Sequence, residues 1–464
     1  MWGAWNPTKV LPEILMPLGG YIAAYIIYPI TGNYLGALIF SENFIFVLFI
    51  LFLLIVFFKF EKNRLTRSNS LAILGELFFL VSFFLIFKHL NQSSYTGFWA
   101  KDLTCTFNYV LPGLLNGAVI LYMECFDNFN EEIKKRSIYR KAFLIVALYF
   151  TLFSSTQLTI LLASYSFIKC CSVLIIELKK KLPFHFTNYI CKVWLFLVIL
   201  VVWLVTLIFD INGGRKVVLK KGFSLLSDFD QALGYFIDLI KFQNKYVFLL
   251  FSLVLVFGAI FAFLSLKHDR QQTFTTSFIT FCFCFIITTV YLLLVFSRSI
   301  PSYAKRPDAM WAFIFLYVLL VNMTIVFLVE NVDFLKLFFP LFIIISSLIA
   351  FNFNCPPIYG ANVNHEPQTV INLNKYIISQ IVEADKNGKS SVDVKVPVDE
   401  KGQSPAVFNS NWPHPYNMGV WLDNTLYAHH LIRTRMQINF KPDKKINKQF
   451  YENRKHEQPF VPTE

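Results

Sequence analysis

Charge is scarce in this sequence. Asp, Glu, Lys and Arg together supply 15% of its 464 residues, against about 25% in an ordinary soluble domain. Hydrophobic residues supply 56%. So small a polar inventory cannot cover a water-facing surface, which excludes a soluble globular enzyme. The same composition excludes disorder for most of the chain, because disorder needs low hydrophobicity. The eight Cys lie mostly inside apolar runs, where they serve as small apolar filler, and no spacing suggests a disulfide framework or a zinc site. There is no Walker loop, dinucleotide glycine fingerprint, nucleophile elbow or zincin motif. His429 and His430 are adjacent, so on a helix they diverge by about 100° and do not readily share a metal. A metalloenzyme and a nucleotide-driven pump are disfavoured. No repeat of fixed period and no cleavable signal peptide can be read.

What is abundant is long apolar sequence, with 53 Phe. Runs able to cross about 30 Å of hydrocarbon fall near 36–58, 71–87, 109–125, 190–209, 246–266, 275–297, 312–329 and 336–353. The stretch 142–176 reads as two short helices broken around Ser154, Ser155 and Thr156. The stretch 11–30, interrupted by Pro12, Pro17, Gly19, Gly20 and Pro29, either crosses or lies in the interface. The fold expected is an α-helical polytopic membrane protein of about 10–11 membrane helices, with residues 1–353 as its transmembrane domain.

The net charge of +13 is scattered between apolar runs. It suits loops facing anionic lipid rather than nucleic-acid binding. The clusters at Lys59–Arg67, Lys134–Lys141, Lys179–Lys181 and Lys267–Arg270 all fall on one side, which the positive-inside rule makes cytoplasmic. That places 88–108, 210–245, 298–311 and the tail on the outer face, Cys105 and Cys355 among them. Within 213–245, apolar residues from Phe223 to Ile240 recur every three or four positions, predicting an amphipathic helix on the outer membrane surface.

Residues 354–464 are polar and predict a small extracytoplasmic α/β module. Ile371–Glu383 has helical periodicity, with Asn387-Gly388 as C-cap. Ser391–Val398 alternates as a strand. Residues 421–433 fit a helix, and Met436, Ile438 and Phe440 alternate again. Beyond about 443 the Lys-rich tail is expected to fray.

Polar groups at the outer ends of spans are the candidate chemistry. They are Asp210, with Asn212-Gly213-Gly214-Arg215 after it; Arg298, Tyr303, Lys305, Arg306 and Asp308; Lys88 and His89; and Trp5-Asn6-Pro7 with Glu13. Arg offers a flat fork for bidentate phosphate contact, and a carboxylate beside it could activate an acceptor hydroxyl. Each also has a plain structural reading. Arg298, Lys305 and Arg306 suit interfacial snorkelling, Asp210 a cap, Asp308 a partner for Arg306, and Trp5 an aromatic-belt anchor. Asp228 and Asp230 suit the solvated face of the amphipathic helix. Glu76 and Glu124 lie within or at the end of apolar runs. As intramembrane carboxylates they are functional candidates and the handles for a transport reading.

The segments Trp5-Asn6-Pro7 through Leu11-Pro12-Glu13, Phe153-Ser154-Ser155 and Asp210 to Arg215, with Trp412-Pro413 and Asn424 in the tail, carry a resemblance. Together with the many spans and the outer module, the chain resembles GT-C-type membrane glycosyltransferases, in particular bacterial proteins related to O-antigen-modifying glucosyltransferases. The resemblance implies a multi-pass protein of the bacterial inner membrane. It implies transfer of a sugar from a polyprenyl-phosphate donor to a cell-surface glycan of the lipopolysaccharide type at the outer leaflet. Glu13, Asp210 and Asp308 would then be the candidate catalytic carboxylates, and Arg215, Arg298 and Arg306 the phosphate-binding groups. Trp412 and Trp421 would form acceptor-stacking surfaces, with a small module core as the other reading. No cofactor is demanded, and a divalent cation is the one that such a family's acidic motif leaves open. That motif, in the first outer loop, has no Asp-Asp or Asp-x-Asp counterpart before residue 228. The expectation is that Met1 is a late start and that an upstream helix carries the acids. A flippase or other secondary transporter is the runner-up, and it requires polar residues lining a path through the spans. A non-catalytic membrane scaffold is the third reading.

Overall fold

The computed structural model describes residues 9–88, 98, 103–179, 185–212, 222, 224–264, 269–351, 367–397 and 419–450. The chain divides into two compact units, Met1–Ile14 with Phe46–Ile358, and Leu15–Ile45 with Tyr359–Glu464. In chain order the helices are α1 (Val10–Thr31), α2 (Tyr34–Arg64), α3 (Asn69–Leu85), α4 (Leu103–Glu124) and the short α5 (Phe129–Lys135). They continue with α6 (Ile138–Leu152), α7 (Ile160–Lys179), α8 (Phe186–Asn212), α9 (Leu225–Phe242), α10 (Lys245–Leu264), α11 (Asp269–Arg298), α12 (Trp311–Asn331) and α13 (Asp333–Ala350). Among the described residues eight helices are long and apolar enough to cross a membrane, or nine if the bent pair α9–α10 counts as one. The apolar α3, with 17 residues, and α6, with 15, are shorter. The protein is a multi-pass helical membrane protein.

Burial sorts the helices of the first unit. α12 is apolar on every side, and 89% of its central window is buried, the pattern of a helix enclosed by others. For α4 the figure is 78%, whereas α8 and α13 bury 22% and turn most of their apolar surface outward, which only lipid can cover. Gly113 and Gly117 let α4 approach α12. A Cβ on Gly113 would lie 2.3 Å from the Trp311 ring, and one on Gly117 would lie 2.9 Å from the Phe315 ring. This is a small-xxx-small contact. The π-helical turns at Ala23–Ile27 and Thr106–Val110 each run up to a proline, Pro29 or Pro112, whose ring and missing N–H do not fit a regular α-turn.

The helix expected within 213–245 is α9. It meets α10 at 103°, so it runs across the following span. Asn244 fixes the corner. Its side-chain oxygen caps α10 through the Tyr246 and Val247 N–H groups (3.1 and 3.2 Å), while its amide donates to the Lys88 carbonyl at 2.6 Å. The break expected at 154–156 is present as the turn between α6 and α7.

In the second unit, α14 (Pro367–Lys386) leads to β1 (Ser391–Val396), then α15 (Gly419–Ala428), β2 (Gln437–Pro442) and α16 (Lys444–Phe450). β1 and β2 pair in parallel, with Val394 opposite Phe440. The core gathers Leu373, Ile377, Val394, Ile438 and Phe440, with Ala24 and Tyr34 from the Leu15–Ile45 segment. α14 ends as its Asn387-Gly388 predicts. Gly388 is left-handed (φ 63°), and the Lys389 N–H reaches the Ala384 carbonyl at 3.0 Å, closing a Schellman motif. Two expectations need correction. The helix expected over 421–433 stops at Ala428, because His430 takes φ 57° and Leu431 N–H bonds back to Leu426. The tail expected to fray beyond 443 continues as α16, held by buried Ile446 and by the Phe450 ring 5.6 Å from Tyr376.

The α4–α12 contact gives a direct test. Gly113→Val should lower the melting temperature of the detergent-solubilised full chain, at a cost of about 1–3 kcal/mol for overpacking. Gly234→Ala, in α9 with open space around it, should leave melting unchanged or raise it slightly. Equal effects would discount the close approach.

Candidate functional site

Glu124 closes α4 and is 1% exposed. A carboxylate there loses its hydration, so every lone pair needs a protein donor. α7 and α11 supply them. Lys169 Nζ lies 2.6 Å from Glu124 Oε2, the Tyr165 hydroxyl donates to the same oxygen at 2.7 Å, and Ser277 Oγ donates to Oε1 at 2.6 Å. Arg64, at the end of α2, donates to the Glu124 backbone carbonyl and pairs with Asp127. Helical spacing explains the convergence on α7: Tyr165 and Lys169 are four residues apart and share one face, with the Lys169 ammonium 5.3 Å from the Tyr165 ring centre.

Two cavities flank this pair, and Lys169 and Asp127 line both. One, of about 220 Å³, is bordered by Arg64, Glu124, Asp127, Lys169, Gln272, Thr276 and Ser277. The other, of about 230 Å³, adds Phe129, Tyr165, Glu177, Lys192 and Phe196; there Lys192 Nζ pairs with Glu177 at 2.7 Å. The first cavity joins the ends of α2 and α4 to the beginning of α11.

Polar side chains continue from the pair into the bundle. Ser164 and Thr288 are 3.3 Å apart. The Tyr291 hydroxyl donates to the Thr156 carbonyl at 3.3 Å, and Thr156 Oγ1 donates to Asp210 at 2.9 Å. From Ser277 to Tyr291 the rise along α11 is about 21 Å at 1.5 Å per residue, roughly two thirds of a hydrocarbon core. Beside this ladder, Asn116 Oδ1, Gln157 Oε1 and Ser166 Oγ are buried without a hydrogen-bond partner. Such atoms are satisfied by water or by a passing polar solute.

The residues singled out from the sequence are distributed differently. Arg306 and Asp308 are brought together. The guanidinium donates to both carboxylate oxygens, at 3.2 and 2.6 Å, and also to Cys105 Sγ at 3.0 Å. Burial works against the Arg306 charge, but the hydrogen bonds and charge of Asp308 outweigh it and raise the guanidinium pKa. Asp210 is held by Thr156 from the α6–α7 turn. Glu13 is exposed on α1, Arg298 is the last residue of α11, and Trp421 is 47% exposed on α15 rather than in the module core. Arg215, Trp412, Trp5, His89 and Cys355 lie outside the described residues. Among the described residues no group of three His, Cys, Asp or Glu side chains could hold a metal ion.

Glu124 was legible as an intramembrane acid. Lys169 was not singled out, although it is a lone cation in the apolar run 160–176 and so carried a readable signal. Arg64 was read only as part of a loop cluster. Tyr165 and Ser277 carry no signal in sequence, since their role comes from facing Glu124 across a helix contact. Comparison with protein-family models, with curated proteins and with solved structures finds no match.

Breaking a buried pair leaves an uncompensated charge, whereas removing both partners does not. Lys169→Met alone should destabilise the protein by about 3–5 kcal/mol, and the double variant Lys169→Met/Glu124→Gln should recover most of the loss in a thermal melt. Additive losses in the double variant would refute the pairing.

Proposed function

We propose that this chain is a membrane transporter that binds a small charged solute beside the Lys169–Glu124 pair and passes it along the polar ladder towards Asp210. The observation that carries the reading is a buried acid, Glu124, paired with the half-buried Lys169 between two cavities inside otherwise apolar helices. Intramembrane charges are costly and mark ion or substrate paths. Polar residues lining a path are the feature that separates a transporter from a membrane scaffold. Each cavity is small beside a drug-sized site, which suits a solute of amino-acid or dicarboxylate size. A solute carboxylate could take the place of Glu124 on Lys169, and a solute ammonium the place of Lys169 on Glu124. In this reading the protein sits in a bacterial plasma membrane with its basic clusters cytoplasmic and the 354–464 module outside.

A second reading, glycosyl transfer from a polyprenyl-phosphate donor to a surface glycan, draws support from one observation. α9 runs across α10, and the turn Pro301–Lys305 presents Lys305 5.4 Å from the Tyr235 ring of α9, with Arg306 beside it. Cations at the edge of a crosswise helix suit a lipid phosphate. The pairing of Arg306 with Asp308 and the exposure of Glu13 weigh against it.

Two measurements separate the readings. Proteoliposomes of the full chain should show counterflow of at least one solute from a panel of labelled amino acids, dicarboxylates and inorganic phosphate. The Lys169→Met/Glu124→Gln variant should reduce it at least tenfold, and flat traces across the panel would sink the transport reading. In the source cell, deleting the gene should leave the intact mass of surface polysaccharide and its lipid-linked precursors unchanged. Loss of one sugar per repeating unit, restored by wild type but not by Arg306→Ala, would establish the transferase instead.

A further inference from the structure

A second buried acid, Glu61, lies one turn before Arg64 on α2 and is 0% exposed. Glu124 has a cation at 2.6 Å; the hydrogen-bond partner of Glu61 is a neutral amide. Asn322 Nδ2, from the enclosed helix α12, donates to Glu61 Oε1. The other carboxylate oxygen, Oε2, and the other amide atom, Asn322 Oδ1, are both buried without a partner. A carboxylate and a primary amide share one hydrogen bond. A carboxylic acid and a primary amide can share two, closing a ring in which the acid O–H donates to the amide oxygen. The two atoms left without partners here are the two that such a proton would join.

The surroundings fit a proton better than a metal ion. A Cβ on Gly75 of α3 would lie 2.5 Å from both Glu61 oxygens and 2.7 Å from Val326 Cγ2. The carboxyl is therefore pressed against bare backbone, with no space for the shell of oxygens a metal ion gathers. Among the described residues the charged groups around it offer no counter-ion. On α2 itself, Lys59 lies over the Tyr122 and Phe126 rings, Lys62 is exposed, and Arg64 is engaged by Asp127 and the Glu124 carbonyl. α3 brings Glu76, of the same sign. α12 brings Asn322, and two turns on Glu330, which accepts from Thr66 at 2.8 Å. α11 meets this part of α2 through Phe281 against Phe60.

We propose that Glu61 and Asn322 form a proton-binding site and that this site couples proton movement to the solute path. In its loaded form the carboxyl has taken a proton from hydronium, leaving water, and the acid–amide ring is closed. In its unloaded form the proton has returned to water, one ring bond is lost, and an unpaired charge faces Glu76. Only a loaded or solute-linked state is then comfortable in the bundle, which is the requirement for coupling. The link to the Glu124 site is short, because Arg64 holds that site from the same helix end. The coupling role rests on the transport reading; the proton site does not.

Infrared spectroscopy of the full chain in liposomes at neutral pH tests the site. The protonated-carboxyl C=O band of the wild type should contain a component that is lost in Glu61→Gln and kept in Glu76→Gln and in Glu42→Gln, Glu42 being a further buried carboxyl. Gln can make both ring bonds to Asn322, so Glu61→Gln should melt no lower than wild type. A wild-type spectrum indistinguishable from that of Glu61→Gln in the C=O region, or a clear fall in melting temperature for Glu61→Gln, would overturn the proposal. For coupling, Glu61→Gln should retain solute counterflow and lose uptake driven by a pH gradient. Gradient-driven uptake at the wild-type level would remove the coupling role. Absence of any transport by the wild type would remove it too, together with the transport reading, while the infrared band alone decides the proton site.

Discussion

A charge buried away from water has to be neutralised where it stands, and the Lys169–Glu124 pair is where this bundle meets that requirement. Taking the two ions from water costs several kcal/mol each, and neither would be tolerated on a lone helix facing lipid. The pair therefore needs a third and a fourth helix. α11 brings Ser277, the end of α2 brings Arg64, and α7 brings Tyr165 along with the lysine. The packing that encloses α4 and α12 follows the same logic. Gly113 and Gly117 remove the side chains that would hold the two helices apart.

Glu124 and Glu61 show how environment separates identical side chains. Glu124 meets an ammonium and two hydroxyls, so both its oxygens have donors in the ionised form. Glu61 meets one amide and bare backbone, and its remaining oxygen finds no donor. One site is suited to holding and exchanging ionic groups, the other to gaining and losing a proton. Both are tied to the end of α2, through Arg64 and Glu61 respectively, so a movement of that helix end would act on both together.

Much of the architecture was readable in the residues. Apolar run lengths located the spans, the Ser154–Thr156 break and the amphipathic α9, because a helix that must satisfy its backbone inside lipid leaves a composition signal. The alternation at Val392–Val396 and Ile438–Phe440 likewise gave the two strands of the module. The registers that failed were local: His430 ends α15 in a left-handed conformation more usual for glycine, and α16 is held by contacts to α14 that no nearby residue reports. The candidate site was half legible. Glu124 stood out as an acid at the end of an apolar run. The polar path did not, because Ser164, Thr156, Thr288 and Tyr291 are unremarkable singly and acquire meaning only when α7, α11 and the α6–α7 turn bring them towards one another. A composition of Phe, Leu and Ile in the spans concealed that interior.

By itself the sequence determined that this is a multi-pass helical membrane protein with a small α/β module after the last apolar run. These properties follow from how many apolar residues occur in a row and where charge interrupts them. Only the tertiary structure decided that Lys169 belongs to Glu124 and that Glu61 shares its carboxyl with Asn322. Pairing is a matter of which helix faces which, and helix faces are selected by glycine contacts and by aromatic packing between residues as distant in the chain as Phe84 and Phe351.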